Sequence, residues 1–247
     1  MKEWFVEWFD TSFYHQLYKS RSYEEAQMLI DNLEKKLGFA PNNTFLDLAC
    51  GKGRHAIYLN SKGYDVTGID LSRNNIEAAN QSASENLHFF VHDMRETFRP
   101  DSFDFVLNLF TSFGYFEENY DNFRAIKAVA ENLKSGGTLV LDYMNSAKAV
   151  KNLTKYYEKE VDGIKFVITK KIEYGFIVKN IDFDYENEHY HFEERVKILT
   201  CEDFRYYFRK AELTCKEIYG SYDLNPFDVA ESDRMIFVVQ KVPANLN

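Results

Sequence analysis

The stretch that decides the fold is Phe45-Leu46-Asp47-Leu48-Ala49-Cys50-Gly51-Lys52-Gly53. Its apolar half is typical of a buried β-strand, and its two glycines predict a tight turn that opens the next helix. Glycines in such a turn let backbone N–H groups approach a ligand closely, and the N-terminus of the following helix favours anionic groups. The stretch therefore predicts a strand, a ligand-binding turn and a helix in succession.

Strands and helices alternate downstream of this turn. The pattern predicts strands at residues 45–49, 64–69, 87–92, 103–109 and 138–142, separated by helices at residues 54–61, 72–84 and 120–133. Strands separated by helices of this length indicate βαβ units and a parallel sheet. Residues 213–219 and 235–240 favour a final antiparallel pair. We predict an α/β fold with a Rossmann-like, seven-stranded, mostly parallel sheet that carries this pair at its end.

The periodicity changes on either side of this alternating region. Residues 165–172, 176–183 and 189–199 are strand-like with no helix between them, which predicts an antiparallel β insertion at about 150–200, after strand 5. Residues 4–37 carry apolar side chains at helical spacing. The sequence thus divides into a helical segment over residues 1–40 and a core over residues 41–247.

Composition excludes several classes of protein. The 247 residues are 45% hydrophobic and 28% charged, which is close to the globular average. The net charge of −9 and the lack of a Lys/Arg block argue against nucleic acid as a partner. Cys50, Cys201 and Cys215 form no C-x-x-C pair, which argues for a reducing compartment. Without an uninterrupted apolar run, we predict a soluble, cytoplasmic protein with no signal peptide and no membrane partner.

Two aspartates follow neighbouring strands of the predicted sheet. Asp70 ends the second strand, where a carboxylate can accept both hydroxyls of a ribose, and Asp93 ends the third strand. Alternatively, Asp70 caps the helix that starts near Ser72, and Asp93 belongs to an ordinary turn. The pattern Gly51-x-Gly53-x-x-Ala56 also matches a dinucleotide motif, so an NAD-dependent oxidoreductase stays open. That class explains Asp70 but leaves Asp93 without a role.

The arrangement resembles the class I S-adenosylmethionine-dependent methyltransferases. Their glycine motif is matched by Asp47-Leu48-Ala49-Cys50-Gly51-Lys52-Gly53, with Ala49 in place of the first glycine. Their acidic residues after the second and third strands match Asp70 and Asp93. Further similar segments are Phe103-Asp104-Phe105-Val106, Leu133-Lys134-Ser135-Gly136-Gly137-Thr138-Leu139 and the late Ser232-Asp233-Arg234-Met235-Ile236.

The resemblance implies S-adenosyl-L-methionine as cofactor and direct in-line transfer of its methyl group. It implies that the N-terminal segment, residues 1–40, is a lid, although its aromatic residues equally suit an amphipathic packing helix. Arg21 on that segment could pair with the methionine carboxylate. The cofactor-binding residues that it implies are Tyr14, Tyr18, Arg21, Ala49, Gly51, Gly53, Asp70, Leu71, Asp93, Met94, Asn108 and Leu109.

The segment after the fourth strand is similar to the loop of small-molecule N-methyltransferases, which implies a small-molecule acceptor, an amine in the first instance. Phe113, Tyr115 and Phe116 would line the acceptor pocket, with core packing as the alternative for the two phenylalanines. The catalytic residue stays unassigned, and Tyr115 and His92 are the candidate bases. A non-catalytic module that only binds the cofactor is a further alternative.

Two remaining features concern metals and assembly. His189 and His191 share one face of a predicted strand, but no third ligand is evident, so we predict no metal site. The β insertion lies where related enzymes place a substrate cover or a contact between subunits. We therefore expect the insertion to shape acceptor specificity and to be the surface for any homo-oligomer.

Overall fold

The computed structural model describes residues 3–19 and 23–243, which form eight α-helices, one 3₁₀ turn and eleven β-strands. The helices are α1 (Trp4–Trp8), α2 (Ser12–Leu17), α3 (Tyr23–Leu37), α4 (Arg54–Ser61), α5 (Arg73–Ala79), α6 (Asn119–Asn132), α7 (Ser146–Lys151) and α8 (Cys201–Lys210). The strands are β1 (Thr44–Leu48), β2 (Asp65–Asp70), β3 (Leu87–Val91), β4 (Phe103–Asn108), β5 (Leu133–Met144), β6 (Tyr156–Val161), β7 (Ile164–Glu173), β8 (Phe176–Tyr185), β9 (Glu188–Lys197), β10 (Leu213–Tyr219) and β11 (Arg234–Lys241).

The main sheet has seven strands in the order β10-β11-β5-β4-β1-β2-β3. The five strands from β5 to β3 run parallel, whereas β11 pairs antiparallel with both β5 and β10. This confirms the predicted fold class. The chain moves from β1 to β2 on one side and returns to β4 on the other, so the strand order reverses between β1 and β4. Ligands of open α/β sheets bind in the crevice at such a reversal, beyond the carboxyl ends of the strands.

The turn between β1 and α4 explains why glycine stands at its end. Gly53 precedes α4 with φ of +80°, and a Cβ built on it would lie 2.6 Å from the Phe89 ring on β3. Any other residue would meet both the left-handed backbone and the ring. The strand before the turn is buried through Phe45, Leu46 and Leu48, which fixes the turn at the edge of the sheet.

The four strands of the insertion form a separate antiparallel sheet in the order β6-β7-β8-β9. This confirms the antiparallel insertion after β5 and adds β6, which the sequence pattern did not predict. Phe166 and Phe183 of this sheet build a small core with Trp8 and Leu17 from the N-terminal helices. The insertion therefore packs against α1 and α2.

The N-terminal helical segment is divided in two by its packing. The Thr11 side chain accepts a hydrogen bond from the Tyr14 amide and so starts α2, separate from α1. Helix α3 instead buries Leu29, Ile30 and Leu33 against the main sheet. Helices α1 and α2 thus pack against the inserted sheet, whereas α3 packs in the core of the main sheet.

Smaller differences lie at element ends. The helix predicted over residues 72–84 ends at Ala79 and continues as a 3₁₀ turn at Asn80–Ser82, and the short helix α7 was not predicted. In the part of the chain that the structure describes, no helix is both long and apolar enough to cross a membrane.

Candidate functional site

A buried carboxylate joins the strand before the glycine turn to the helix after it. Asp47 on β1 is buried, and its Oδ2 accepts a hydrogen bond from the Ala56 amide in the first turn of α4 at 3.2 Å. Burial raises the pKa of Asp47 to about 7. Above it, Ala49 adopts a left-handed backbone with φ of 59°, and a Cβ on Gly51 would meet no protein atom within 4 Å. The turn thus presents bare backbone to the crevice.

Asp70 lies at the end of β2 and bridges the turn to the next helix. Its Oδ2 accepts a hydrogen bond from the Gly51 amide at 2.9 Å, and its Oδ1 accepts one from the Ser72 amide at 2.8 Å. Burial raises the pKa of Asp70, although these backbone hydrogen bonds oppose the shift. The alternative in which Asp70 only caps α5 does not account for its contact with Gly51.

Asp93 lies one strand further along, after β3. Both of its carboxylate oxygens accept hydrogen bonds from Arg95, which also contacts Glu3 at 2.8 Å and Asp121 at 3.4 Å. Burial alone would raise the pKa of Asp93, but the hydrogen bonds and charge of Arg95 bring it below its ordinary value. Asp93 is therefore a fixed, ionised acceptor at the edge of the crevice.

Three connected cavities fill the crevice between the sheet edge, the N-terminal helices and the insertion. We call the first the acidic cavity because it contains the two aspartates. It encloses about 750 Å³ and is lined by Phe5, Phe9, Tyr14, His15, Ala49, Gly51, Ile69, Asp70, Leu71, Asn75, His92, Asp93, Met94, Ser112, Tyr115 and Phe116. Its lining combines apolar side chains with a few polar groups, as is usual for ligand pockets.

The second, which we call the basic cavity, continues from the glycine turn towards solvent. It spans about 1080 Å³ with its open mouth and is lined by Tyr14, His15, Tyr18, Lys19, Tyr23, Asp47, Ala49, Cys50, Gly51, Lys52, Arg54, His55, Leu109, Phe110, Ser112 and Tyr115. Burial and the neighbouring Arg54 lower the pKa of His55 to about 3, so this imidazole is neutral. Its buried Nε2 has no hydrogen-bond partner among the described residues.

The third cavity, the aromatic chamber, lies between the N-terminal helices, the β4 loop and the insertion. It encloses about 350 Å³ and is lined by Trp4, Phe9, Tyr14, Tyr18, Phe110, Thr111, Tyr115, Glu194 and Val196. Tyr14 and Tyr115 line all three cavities. The two tyrosines therefore mark the place where the acidic cavity, the basic cavity and the chamber meet.

Glu194 is the acidic side chain among the described residues that line the chamber. It is 9% exposed, and its carboxylate accepts hydrogen bonds from Trp8 Nε1 at 2.6 Å and the Tyr18 hydroxyl at 2.7 Å. Lys179 Nζ lies 3.4 Å from Glu194 Oε2 and also contacts the Tyr18 hydroxyl. Nearby, Trp4 Nε1 is buried without a hydrogen-bond partner in the described structure.

The loop after β4 sends its side chains in different directions. Leu109 lines the basic cavity and Phe116 the acidic cavity, whereas Phe113 is buried in the core against Phe204. Asn108 is fully buried and donates hydrogen bonds to the Leu48 and Ser112 carbonyls, so it joins β1 to the loop. For Phe113 the structure thus favours the core-packing alternative.

Most of the remaining residues that the sequence predicted for the cofactor site line one of the cavities. Leu71 and Met94 line the acidic cavity with the aspartates, and Tyr18 lines the basic cavity and the chamber. Gly53 lies behind the turn against Phe89. Arg21 lies outside the described residues.

Sequence reasoning missed several lining residues. They are Trp4, Phe5, Phe9, His15, Asn75, Phe110, Glu194 and Val196. The sequence around Glu194 does not indicate a site residue, because the position of its side chain depends on how the insertion packs. Phe110 lies within the predicted loop but was not singled out, because the sequence pattern does not indicate its left-handed backbone.

His189 and His191 face the acidic side chains of the neighbouring strand. His189 lies 2.8 Å from Asp184, and His191 lies 2.7 Å from Asp182. Within residues 3–19 and 23–243, no group of three or more His, Cys, Asp or Glu side chains is arranged to hold a metal ion.

Comparison with known proteins agrees with this geometry. Residues 45–137 match the family model described as "Methyltransferase domain". Residues 45–137 are a methyltransferase domain. The predicted family resemblance is confirmed for this domain, which contains the glycine turn, Asp70, Asp93 and the β4 loop.

Relatives of the methyltransferase domain include two curated bacterial proteins. The chain is 41% identical over 106 residues to YqeM of Bacillus subtilis (strain 168), a protein named as a methyltransferase, covering 42% of this chain and 43% of that one. It is 30% identical over 101 residues to dTDP-3-amino-3,4,6-trideoxy-alpha-D-glucopyranose N,N-dimethyltransferase of Streptomyces venezuelae, covering 40% and 42%. The matched part spans less than half the length of either relative.

A solved structure extends the likeness beyond the methyltransferase domain. An S-adenosylmethionine-dependent methyltransferase from Clostridium acetobutylicum ATCC 824 superposes with a TM-score of 0.79 at 20% identity, covering 94% of this chain and 97% of that one. At this level of identity, the likeness shows a shared fold. The superposed length therefore extends well beyond residues 45–137.

Proposed function

We propose that this chain is an S-adenosylmethionine-dependent methyltransferase that methylates a small-molecule amine. The observation that carries the proposal is the position of Glu194 in an aromatic chamber that shares Tyr14 and Tyr115 with the two cavities at the glycine turn. A cofactor at the sheet edge and an acceptor in the chamber would meet at these tyrosines.

The residues of the acidic cavity suit the adenosine part of the cofactor. Asp70 and Asp93 are carboxylate acceptors, as a ribose diol and an exocyclic amine require. Leu71 and Met94 supply apolar surface beside them, where a flat base can be held. Of the two aspartates, Asp93 is the one whose ionised form is stabilised by a neighbouring arginine.

The residues of the basic cavity suit the amino-acid part of the cofactor. Lys52 and Arg54 provide positive charge for a carboxylate, and the neutral His55 has a buried ring nitrogen without a partner in the described structure. The bare backbone at Gly51 leaves room for close approach. When bound, the cofactor supplies a methyl group on a positively charged sulfur.

The aromatic chamber suits an amine as acceptor. Methylation turns a neutral amine into a cation, and a cation over an aromatic face is stabilised by about 0.5–2 kcal/mol, most when it is desolvated. Tyr14, Tyr18 and Tyr115 offer such faces, and the carboxylate of Glu194, which also pairs with Lys179, lies in the same chamber. Stabilisation that grows as the charge develops accelerates the transfer itself. The Streptomyces venezuelae relative, named as an amino-sugar N,N-dimethyltransferase, supports the same acceptor class.

The N-terminal helices complete this proposal as a cover. Helix α2 supplies Tyr14 to the cavities, and the residues that directly follow α1 and α2 supply Phe9 and Tyr18. They are held to the core by the hydrogen bond between His15 and Asn75 at 2.8 Å and to the insertion by Trp8 and Glu194. In this position they exclude water from the place of transfer.

Titration calorimetry followed by an acceptor screen tests the proposal. The purified chain is titrated with S-adenosylmethionine, S-adenosylhomocysteine and NAD, and we expect micromolar binding of the first two and none of NAD. Production of S-adenosylhomocysteine is then measured with pairs of acceptors that differ only in an amine or a hydroxyl. Turnover of the amines alone is expected. Turnover of the hydroxyl partners would overturn the acceptor class, and binding of NAD alone would overturn the cofactor.

A matched pair of variants locates the acceptor. Glu194→Gln keeps the size of the side chain and removes its charge, so we expect turnover of the amine to fall about 10- to 100-fold with unchanged cofactor affinity. Glu193→Gln changes the adjacent residue, which pairs with Arg195 at 3.2 Å and is not among the chamber residues, and is the control. Equal turnover by Glu194→Gln and the parent chain would place the acceptor elsewhere.

A further inference from the structure

The loop between β4 and α6 contains two consecutive residues in the left-handed region. Phe110 has φ of 59° and Thr111 has φ of 61°. Non-glycine residues adopt this conformation rarely, and a β-branched threonine least of all. Such backbone persists only where the surroundings determine it, and it concentrates at binding and catalytic sites.

A single buried aspartate bonds the backbone of both residues. Asp142 on β5 is 0% exposed. Its Oδ2 accepts a hydrogen bond from the Phe110 amide at 2.8 Å, and its main-chain carbonyl accepts one from the Thr111 amide at 3.1 Å. The two strained residues therefore both direct their N–H groups at Asp142.

An arginine from the last strand completes the arrangement. Arg234 begins β11, and its Nε donates to Asp142 Oδ1 at 2.8 Å while its Nη2 donates to Thr111 Oγ1 at 2.8 Å. In the antiparallel pairing of β5 with β11, Asp142 stands opposite Ile236, so Arg234 is its diagonal neighbour. The guanidinium thus joins the aspartate to the side chain of the strained threonine.

Tyr222 holds the other side of the loop. Its hydroxyl donates to Asp142 Oδ2 at 3.1 Å, and its ring stacks on Phe110 with centroids 5.0 Å apart. The guanidinium carbon of Arg54 also lies over the Phe110 ring, 4.5 Å from its centroid. Phe110 is therefore fixed in direction as well as in backbone conformation.

The strained pair forms a wall of the site. Phe110 lines both the basic cavity and the aromatic chamber, and Thr111 lines the chamber. The Thr111 carbonyl also accepts the hydroxyl hydrogen bond of Tyr115, which lines all three cavities. A change in backbone at residues 110–111 would move the wall and Tyr115 together.

We propose that Arg234 and Asp142 are positioning residues that hold Phe110 and Thr111 in the left-handed conformation and thereby set the wall between the basic cavity and the aromatic chamber. We call the contacts of Asp142 and Arg234 with Phe110 and Thr111 the clamp. The clamp is a property of the fold, whereas its effect on ligands rests on the proposed function. It gives a role to the late segment Ser232-Asp233-Arg234, which lies far in sequence from the glycine turn.

Hydrogen exchange of the full chain without ligand tests the clamp directly. The amides of Phe110 and Thr111 should exchange slowly in the parent chain, and Arg234→Met should speed exchange in the peptide spanning residues 109–116 at least 10-fold. Arg234→Lys, which keeps the charge, should give an intermediate rate. Lys241→Met is the control on the same strand, because Lys241 pairs with Asp101 at 2.7 Å near the opposite end. Unchanged exchange in a folded Arg234→Met protein would overturn the proposal.

A second variant and a second readout keep the outcomes separate. Thr111→Val removes only the Oγ1 that accepts a hydrogen bond from Arg234, and exchange in the peptide spanning residues 109–116 should rise 3-fold or more. This variant decides the test if Arg234→Met fails to fold. No rise in Thr111→Val would then overturn the proposal. Affinity for S-adenosylhomocysteine should fall at least 5-fold in Arg234→Met and stay unchanged in Lys241→Met. If the parent chain binds no S-adenosylhomocysteine, the proposed function fails while the exchange result still decides the clamp.

Discussion

The Asp70 carboxylate accepts a hydrogen bond from the Gly51 amide at a distance of 2.9 Å. A residue that ends β2 is thereby attached to the turn that follows β1, across two adjacent parallel strands. Its other oxygen holds the Ser72 amide at the start of α5. The carboxylate is thus fixed by two backbone groups and lines the acidic cavity with a defined orientation.

Replacing Asp70 with Asn should weaken cofactor binding. The variant keeps the size of the side chain but loses the charge and one acceptor oxygen. Hydrogen bonds to a charged group contribute about 1.5–3 kcal/mol, so we expect the affinity for S-adenosylhomocysteine to fall about 10- to 100-fold in calorimetry. Asp65→Asn, at the exposed opposite end of the same strand, is the control and should bind as the parent does. Equal affinities in all three proteins would remove Asp70 from the site.

Asp93 should decide the preference for adenine over hypoxanthine. If its carboxylate accepts the exocyclic amine, S-inosylhomocysteine, which presents an oxygen there, should bind the parent chain at least 10-fold more weakly than S-adenosylhomocysteine. Asp93→Asn can donate to that oxygen, so the difference should shrink. Asp121→Asn also removes a charge near Arg95, at 3.4 Å, and should leave the preference intact. Equal binding of both compounds by the parent chain would contradict the assignment.

The protonation of Asp47 should make stability depend on pH. Because burial raises its pKa from 3.8 to about 7, the folded chain holds a proton that the unfolded chain releases between these values. The Asp47 contribution to the free energy of unfolding is therefore fully present below pH 3.8 and is lost as the pH rises to about 7. At about 1.4 kcal/mol per pKa unit, Asp47→Asn should be more stable than the parent at pH 8 by up to about 4 kcal/mol.

Urea unfolding of the parent and of Asp47→Asn at pH 5 and pH 8 measures this difference. His55 acts in the opposite sense, because its pKa is lowered from 6.5 to about 3 and its contribution is lost as the pH falls. Since both proteins contain His55, its effect cancels in the comparison at each pH. A constant difference in stability between the two proteins at both pH values would rule out titration of Asp47.

Replacing Ala49 with Gly should stabilise the fold. Ala49 has φ of 59°, and a left-handed L-residue costs about 1–2 kcal/mol, whereas the extra freedom of glycine in the unfolded chain costs about 0.5–1 kcal/mol. We expect a net gain of about 0.5–1 kcal/mol in urea unfolding. Ala128→Gly within α6 has no such strain to relieve and should be destabilising by about 1 kcal/mol. A loss of stability in both variants would show that Ala49 is not strained.

The sequence predicted the parts of the fold whose signals are local. Helix α4 lies where the glycine turn and the apolar spacing placed it, and the main sheet follows from the alternation of strands and helices. Strand β6 was missed because its run Tyr156-Tyr157-Glu158-Lys159-Glu160 has few apolar residues, and its pairing partner β7 holds it in place. Such pairing cannot be inferred from the run itself.

The same distinction applies to the site. Asp70 and Asp93 could be placed because strand ends meet at one edge of a parallel sheet. Glu194 and Arg234 could not, because one depends on the packing of the insertion and the other on the register of β11 against β5. Phe110 lines a cavity and has a left-handed backbone, whereas Phe113 is buried in the core, and Phe-Thr carries no sequence signal for that backbone.

The small core that α1 and α2 share with the insertion has a consequence for engineering. Trp8 and Leu17 are 1% exposed, and their apolar neighbours are Ile164, Phe166, Ile168, Ile181 and Phe183 on β7 and β8. A chimera that exchanged residues 156–197 alone would leave these two side chains facing an unmatched surface. Residues 3–19 and the inserted sheet, although more than a hundred positions apart in sequence, share this core, so an exchange of the inserted sheet must transfer both together.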